Sequence, residues 1–183
     1  LGWVAERYPQ VVEAIAKQGH EVASHGYSHQ LVYNQTPEVF REETFKSKSL
    51  LENIVQRPIR GYRAASYSIT NKSLWAVDTL IEAGFDYDSS IFPVHHDLYG
   101  IPDFPKQPHI YKGSSKGDII EFPISSLSIG NYQLPIAGGG YFRLFPYWFS
   151  RFGLNRINKQ GNAFMFYLHP WEVDPDQPRV KGV

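Results

Sequence analysis

The sequence contains no cysteine, which excludes disulfide bonds and thiolate metal sites. Any metal ion must therefore be held by His, Asp or Glu. The chain also has no net charge, because 18 Lys and Arg residues balance 18 Asp and Glu residues, and this argues against a general electrostatic attraction to nucleic acid or to an anionic membrane. No apolar run approaches the roughly 20 residues that cross a bilayer, and no signal-peptide pattern is present.

The length of the chain suits one domain, residues 1–183, with a sizeable core. Aromatic residues make up 15% of the sequence, which suits either a large core or stacking against sugar rings. The first residue is Leu1 rather than Met, and residues 1–4 are typical of a strand that runs into a helix. We therefore expect the chain to be truncated at its N-terminus. Its localisation, cytoplasmic or at the cell envelope, is left open.

Apolar periodicity and turn residues predict strands that alternate with helices. The predicted helices cover residues 3–18, 36–55, 71–83 and 146–159, and the predicted strands cover residues 20–23, 59–63, 85–88, 118–123 and 163–168. The last strand is apolar throughout and is expected to be buried on both faces. The proline-rich stretch 92–115 is predicted to be a long irregular loop. This alternation indicates an α/β fold with a parallel sheet or barrel, in which ligands meet the carboxyl ends of the strands.

Residues with chemical potential follow four of the predicted strands. His25 and His29 are four positions apart in a loop, and two neutral imidazoles at this spacing could reach one metal ion. His169 ends the apolar strand, where an imidazole could give a proton to a leaving group. Arg63 could pair with a catalytic carboxylate, and Asp88 could orient a histidine or bind substrate. Their shared location at strand ends predicts one active site.

Each of these residues also has a structural interpretation. The two loop histidines could simply be solvated, His169 could be a surface residue beside a turn, Arg63 a surface ion pair and Asp88 a helix cap. His20 begins a strand and is expected to be structural or partly buried. His95 and His96 are adjacent, so their side chains point apart and form a poor metal site.

Glycines and aromatic residues elsewhere in the sequence could also belong to a ligand site. Residues 138–140 are three glycines that lack the spacing of a nucleotide fingerprint, so a tight or flexible substrate loop is favoured. Trp75 lies inside a predicted helix and is expected in the core. Tyr141, Phe142, Trp148 and Trp171 could line a sugar groove or simply pack, and packing is favoured for most of them.

Four motifs in order resemble the NodB-like polysaccharide deacetylases, the group called carbohydrate esterase family 4. The resemblance extends over nearly the whole chain, and the four motifs are residues 19–29, residues 61–65 (Gly-Tyr-Arg-Ala-Ala), residues 87–93 and residues 167–172 (Tyr-Leu-His-Pro-Trp-Glu). With Gly-Gly-Gly-Tyr-Phe-Arg at 138–143, they look most like the subgroup associated with bacterial exopolysaccharide loci. The resemblance implies a distorted (β/α) barrel that removes N-acetyl groups from N-acetylhexosamine residues of a polysaccharide or oligosaccharide substrate.

The resemblance also implies roles for individual residues. His25 and His29 would be ligands of a divalent metal, most commonly zinc, and His169 would be the general acid. Arg63 would hold the catalytic base, and Asp88 would support the charge of the acid. Tyr67, Tyr141 and Trp171 are the expected substrate-binding residues.

The chain departs from the family pattern at two places. The acidic pair that supplies the base and the third metal ligand has no counterpart and is expected upstream of Leu1. Ala65 occupies a position where the family usually has Pro, which could loosen the loop that holds Arg63. Two alternatives to a polysaccharide deacetylase therefore stay open: a non-catalytic glycan-binding module of the same fold, and an amidase acting on a small molecule. The polymer, its linkage and the oligomeric state are not indicated by the sequence.

Overall fold

The computed structural model describes residues 1–114, 117–130 and 132–178. Two compact units divide the chain, Leu1–Ile124 and Ser125–Val183, and each is described by itself. The expectation of a single domain stays a prediction. Among the described residues, no helix is both long and apolar enough to cross a membrane.

The first unit contains four helices and four strands. In chain order they are α1 (Gly2–Arg7), α2 (Pro9–Lys17), α3 (Pro37–Val55), β1 (Gly61–Tyr62), α4 (Trp75–Glu82), β2 (Tyr87–Asp88), β3 (His109–Lys112) and β4 (Asp118–Glu121). The sheet order is β1-β2-β4-β3, with β1, β2 and β4 parallel and β3 antiparallel to β4. Helix α4 is the crossover between β1 and β2, which confirms the α/β class expected from the sequence.

Helix α3 begins and ends where the sequence signals predict. The Thr36 side chain accepts a hydrogen bond from the backbone N–H of Val39, and Pro37 occupies the first turn. The predicted helix 3–18 is instead two helices, because Pro9 has no N–H to donate and its ring clashes with the preceding turn. The core of this unit is aromatic and aliphatic, and its largest fully buried side chains include Phe40, Ile59 and Leu80.

Two predictions in the first unit were wrong. Residues 20–23 do not form a strand: pairing is limited to a parallel bridge between Ser24 and Tyr62, and His20 is exposed rather than structural. Residues 92–115 are not irregular throughout, because they contain strand β3. In that strand Tyr111 packs against the core, whereas Ile110 is 63% exposed. Because the apolar residue faces outward, the sequence lacks the apolar alternation that would have predicted a strand here.

The second unit contains a hairpin and two helices. These are β5 (Ser126–Ile129) and β6 (Tyr132–Pro135), which pair antiparallel, followed by α5 (Gly139–Leu144) and α6 (Tyr147–Lys159). Leu127, Ile136 and Ile157 form its small core. The hairpin was missed, although Gly130-Asn131 between two short apolar runs is a hairpin signal.

The apolar run 163–168 is not a strand buried on both faces. Among the described residues, the backbone of this run makes hydrogen bonds from Met165 to Ser125, and from Tyr167 to Ala137 and Gly139. Phe164 and Leu168 are 38% and 48% exposed. The prediction was wrong because an apolar composition does not itself provide the neighbouring strands that a ladder needs on each side.

Candidate active site

His25 lies directly after the bridge at Ser24, and its ring is held by the backbone of the next strand. Its Nδ1 lies 2.7 Å from the carbonyl oxygen of Arg63, so Nδ1–H is the donor and Nε2 is left as an acceptor. Burial lowers the pKa of His25 to about 4. The imidazole is therefore neutral at physiological pH, which is the form that binds metal ions.

His29 stands beside His25 in a strained loop. The two ring centroids are 5.1 Å apart and the rings meet edge to face. His29 has a φ of 63°, a left-handed conformation that costs a non-glycine residue about 1–3 kcal/mol. The loop is fastened by Ser28, whose hydroxyl donates to Glu43 at 2.7 Å. The structure thus brings the two predicted metal ligands together.

Arg63 is held by the strand that follows it in the sheet. Its Nε donates to the carbonyl oxygen of Ser89 at 3.0 Å, and its Nη2 donates to the Ser89 hydroxyl at 2.8 Å. That hydroxyl donates in turn to the carbonyl oxygen of Phe122, the residue directly after β4. Arg63 is therefore not an exposed surface ion pair, and it connects to His25 through its own carbonyl group.

Asp88 is completely buried and shares its row of the sheet with Glu121. The two residues are register partners on β2 and β4, and Glu121 is only 1% exposed. Asp88 Oδ1 accepts from the Ser90 hydroxyl, and Glu121 Oε1 accepts from the backbone N–H of Ile91 at 3.1 Å. Burial raises the pKa of Asp88 to about 6 and raises the pKa of Glu121 well above its usual range. Two adjacent buried carboxyls cannot both ionise cheaply, so the pair favours keeping one proton to a higher pH than an exposed carboxyl would.

The segment after Arg63 carries further backbone strain. Ser66 and Tyr67 have φ values of 48° and 53°, so two consecutive non-glycine residues are left-handed. Ala65, where the related family usually has Pro, is buried. Tyr67 is 7% exposed and packs edge to face on Phe92, so most of its ring is core rather than an open platform. Its substrate-binding role stays a prediction.

In the second unit, His169 forms a cluster with a buried carboxylate. Its Nδ1 lies 3.5 Å from Glu172 Oε2, and its backbone N–H donates to the same oxygen at 2.9 Å. The Glu172 side chain is 3% exposed and also lies 3.5 Å from Arg143 Nη1. Trp171 stacks on the imidazole with ring centroids 4.2 Å apart. This contact fixes the ring plane, and Glu172 is placed to stabilise an imidazolium.

Gly138 allows the backbone near His169 to come close. Its φ is 115°, and a Cβ at this position would overlap with the carbonyl oxygen of Tyr167. Gly138 and Tyr167 form a parallel bridge, and α5 begins directly afterwards with Tyr141 in its first turn. The glycines are thus a close-packing element, whereas a flexible loop had been one of the two expectations.

Two carboxylates of these clusters were missed by sequence reasoning. Glu121 precedes Phe-Pro at the end of a predicted strand, the position that singled out Asp88. Glu172 stands three residues after His169, which is the spacing at which an acidic side chain accepts a hydrogen bond from the backbone N–H at the start of a helix.

The adjacent histidines do not form a joint site, because His95 is exposed and His96 stacks on Tyr99. Within residues 1–114, 117–130 and 132–178, no group of three or more His, Cys, Asp and Glu residues could hold a metal ion. His25 and His29 are two such residues and do not by themselves make a group of this kind, so their role as metal ligands stays a prediction.

Comparison with known proteins agrees with the motifs. Residues 89–183 match the family model described as a domain of unknown function (DUF3473), and residues 1–85 match the polysaccharide deacetylase model. The chain belongs to the DUF3473 family, whose model matches more than half of it, and its first 85 residues are similar to the polysaccharide deacetylase model. The suggested exopolysaccharide subgroup is a finer assignment than these matches make.

A curated relative is a peptidoglycan deacetylase of Helicobacter pylori, 29% identical over 97 residues, which are 53% of this chain and 31% of that protein. The chain thus spans about a third of the length of this relative.

Solved structures confirm the fold class. A structure from Mycobacterium smegmatis described as a polysaccharide deacetylase superposes with a TM-score of 0.66 at 24% identity, over 93% of this chain and 56% of that one. The Puue allantoinase superposes at 0.59 and 19% identity, over 90% and 51% of the two chains. A CE4 family pseudoenzyme from Bacillus anthracis gives 0.50 at 11% identity, over 91% and 41%. Identities this low indicate the shared α/β barrel type and nothing about activity.

Proposed function

We propose that the protein is a metal-dependent N-deacetylase of a polysaccharide built from N-acetylhexosamine. The observation that carries this proposal is the arrangement of His25. Its Nδ1–H donates a hydrogen bond to the Arg63 carbonyl oxygen, which leaves Nε2 unprotonated. The ring centroids of His25 and His29 are 5.1 Å apart. This is the pattern of a histidine ligand oriented by an outer hydrogen bond. The match to the deacetylase family model covers this segment.

The ion would be divalent, and zinc suits a donor set rich in imidazole. When bound, it would act as a Lewis acid toward the acetamide carbonyl and the attacking water. Burial supports this assignment. Because the pKa of His25 is lowered to about 4, protons do not compete with a metal ion for its Nε2 at neutral pH. His25 and His29 would supply two ligands, and further ligands would come from outside the described residues.

The remaining residues would manage protons. His169 would protonate the departing amine, and Glu172, 3.5 Å from its Nδ1, would stabilise the imidazolium and orient Nε2 toward the substrate. Arg63 would hold the carboxylate base, and its two bonds to Ser89 give it a fixed position for doing so. Asp88, as one half of the buried carboxyl pair, would support positive charge in the site. Trp171 and Tyr141 would contact the sugar.

The test is acetate release from N-acetylglucosamine oligomers by the full-length protein. We expect His25→Ala and His29→Ala to lose at least about a hundredfold in rate and to lose bound zinc measured by elemental analysis. His20→Ala is the matched control, because His20 is exposed at the start of the same segment. Unchanged acetate release by His25→Ala would refute the proposal. Binding of the oligomers without release would favour the glycan-binding module, and release only from small cyclic amides would favour the amidase.

A further inference from the structure

The overall neutrality of the chain conceals an uneven distribution of charge. Residues 122–171 contain no Asp or Glu and four basic residues, so the rest of the chain carries an excess of four acidic groups. The overall neutrality of the chain therefore does not exclude an anionic partner for residues 122–171. It lies within the part of the chain that matches the family model of unknown function.

The same segment exposes large apolar side chains around the start of α6. Leu144 is 73% exposed, Trp148 is 68% exposed and Phe152 is 50% exposed. Trp148 and Phe152 are four residues apart, so they lie on one face of α6, while Gly153 and Ile157 on the other face are buried. Contiguous apolar exposure of this kind marks an interaction site more often than a free surface.

Basic side chains continue the same face of the helix. Arg151 and Arg156 are exposed and lie three or four residues from the apolar positions, and Lys159 follows in the last turn. Arg143 is different, because its guanidinium lies 3.5 Å from Glu172 and belongs to the His169 cluster. We call the outer surface of α6 the basic aromatic face, formed by Trp148, Arg151, Phe152, Arg156 and Lys159.

We infer that the basic aromatic face docks the protein onto an anionic lipid surface. Trp at the headgroup level, Phe at the acyl boundary, and Arg and Lys against lipid phosphates are the composition of an interfacial helix. Residues 122–171 contain no carboxylate, so no acidic side chain of this segment offsets Arg151, Arg156 and Lys159, and the charge of this face is complementary to an anionic surface. The inference does not depend on the proposed deacetylase activity.

The experiment is co-sedimentation of the protein with phosphatidylcholine vesicles, with and without about one quarter phosphatidylglycerol. We expect binding only to the anionic vesicles, weakening with salt because surface charge is screened. Arg151→Glu with Arg156→Glu should reduce the vesicle partition coefficient about tenfold or more, and Trp148→Ser with Phe152→Ser should reduce it by a similar factor. Trp148→Phe should keep the binding, which separates loss of contact from loss of fold.

Matched controls come from the first unit. Lys72→Glu changes an exposed cation, and Tyr8→Ser removes a ring that is 51% exposed; neither should alter vesicle binding. Acetate release from soluble oligomers should be unchanged in the Arg151→Glu, Arg156→Glu variant and in both control variants. Equal binding to neutral vesicles, or equal loss in the controls, would overturn the inference. So would a dimer in sedimentation velocity that the Trp148→Ser, Phe152→Ser variant abolishes, or retention on alginate without vesicle binding.

Discussion

The two units of the chain hold their ionisable residues in opposite ways. In the first unit Glu121 is 1% exposed and stands beside another fully buried carboxyl, Asp88. In the second unit Glu172 is also buried, but its neighbours are Arg143 and His169, whose side chain is 44% exposed. A buried pair of carboxyls favours keeping one proton, whereas a histidine near the surface beside a carboxylate can gain and lose one. In the proposed mechanism the first unit would supply rigid geometry and the second would supply an exchangeable proton.

The largest expected effect tests the exchangeable proton. His169→Ala should lower kcat for acetate release by about 10²–10⁴, because a positioned general acid contributes about that much. It should also remove the alkaline limb of the pH–rate profile. The measurement is the steady-state rate of the full-length protein across pH. The assignment of His169 fails if an active variant keeps the same alkaline limb.

The next effect tests the rigid geometry. Glu121→Ala removes the acceptor for the Ile91 N–H and leaves a small cavity, so we expect the free energy of unfolding to fall by about 3 kcal/mol. Glu121→Gln keeps that acceptor and should cost less than about 1 kcal/mol. Urea unfolding measures both variants. If the alanine and glutamine variants are equally stable, the hydrogen bond to Ile91 does not hold this strand.

The same contrast explains what the sequence could predict. In the first unit β1, β2 and β4 are short but parallel, and helix α4 connects β1 to β2, so strand ends, caps and glycine stops are local signals. Those signals located Arg63 and Asp88 at neighbouring strands and placed His25 beside His29. What they could not show is the partner across the sheet. Glu121 is 33 residues from Asp88, and only the register of β2 with β4 brings them together.

In the second unit the local signals were misleading. The run 163–168 has the composition of a buried strand, yet its conformation depends on bonds to Ser125 and Ala137, which are far away in sequence. The hairpin β5–β6 carries a turn signal, Gly-Asn at residues 130–131, but Leu127 lies in the buried core whereas Tyr132 is 77% exposed. Tertiary contacts therefore decided the conformation of residues 163–168, whereas the Gly-Asn turn signal and the His169-to-Glu172 spacing were available locally.

A smaller effect concerns the pH dependence of stability. Burial raises the pKa of Asp88 to about 6, while an unfolded Asp titrates near about 4. Between these values the folded chain retains the Asp88 proton and the unfolded chain does not, so the contribution of Asp88 to the free energy of unfolding is fully present below the lower value and is lost as pH rises through the folded pKa. We expect Asp88→Asn to flatten this decline, by about 1.4 kcal/mol for each unit between the two pKa values. Asp118→Asn, exposed at the start of β4, is the control.

The smallest effect distinguishes the two carboxylates directly. Glu172→Gln keeps an acceptor for the His169 N–H but removes the charge beside Nδ1, so kcat should fall about three- to tenfold with KM unchanged. The alkaline limb should move to lower pH, since the imidazolium loses a neighbouring negative charge. Asp174→Asn, exposed two residues away, should do neither. An alkaline limb that does not move would mean that Glu172 only holds the backbone of the turn. The two units would then both use buried carboxylates for rigidity alone.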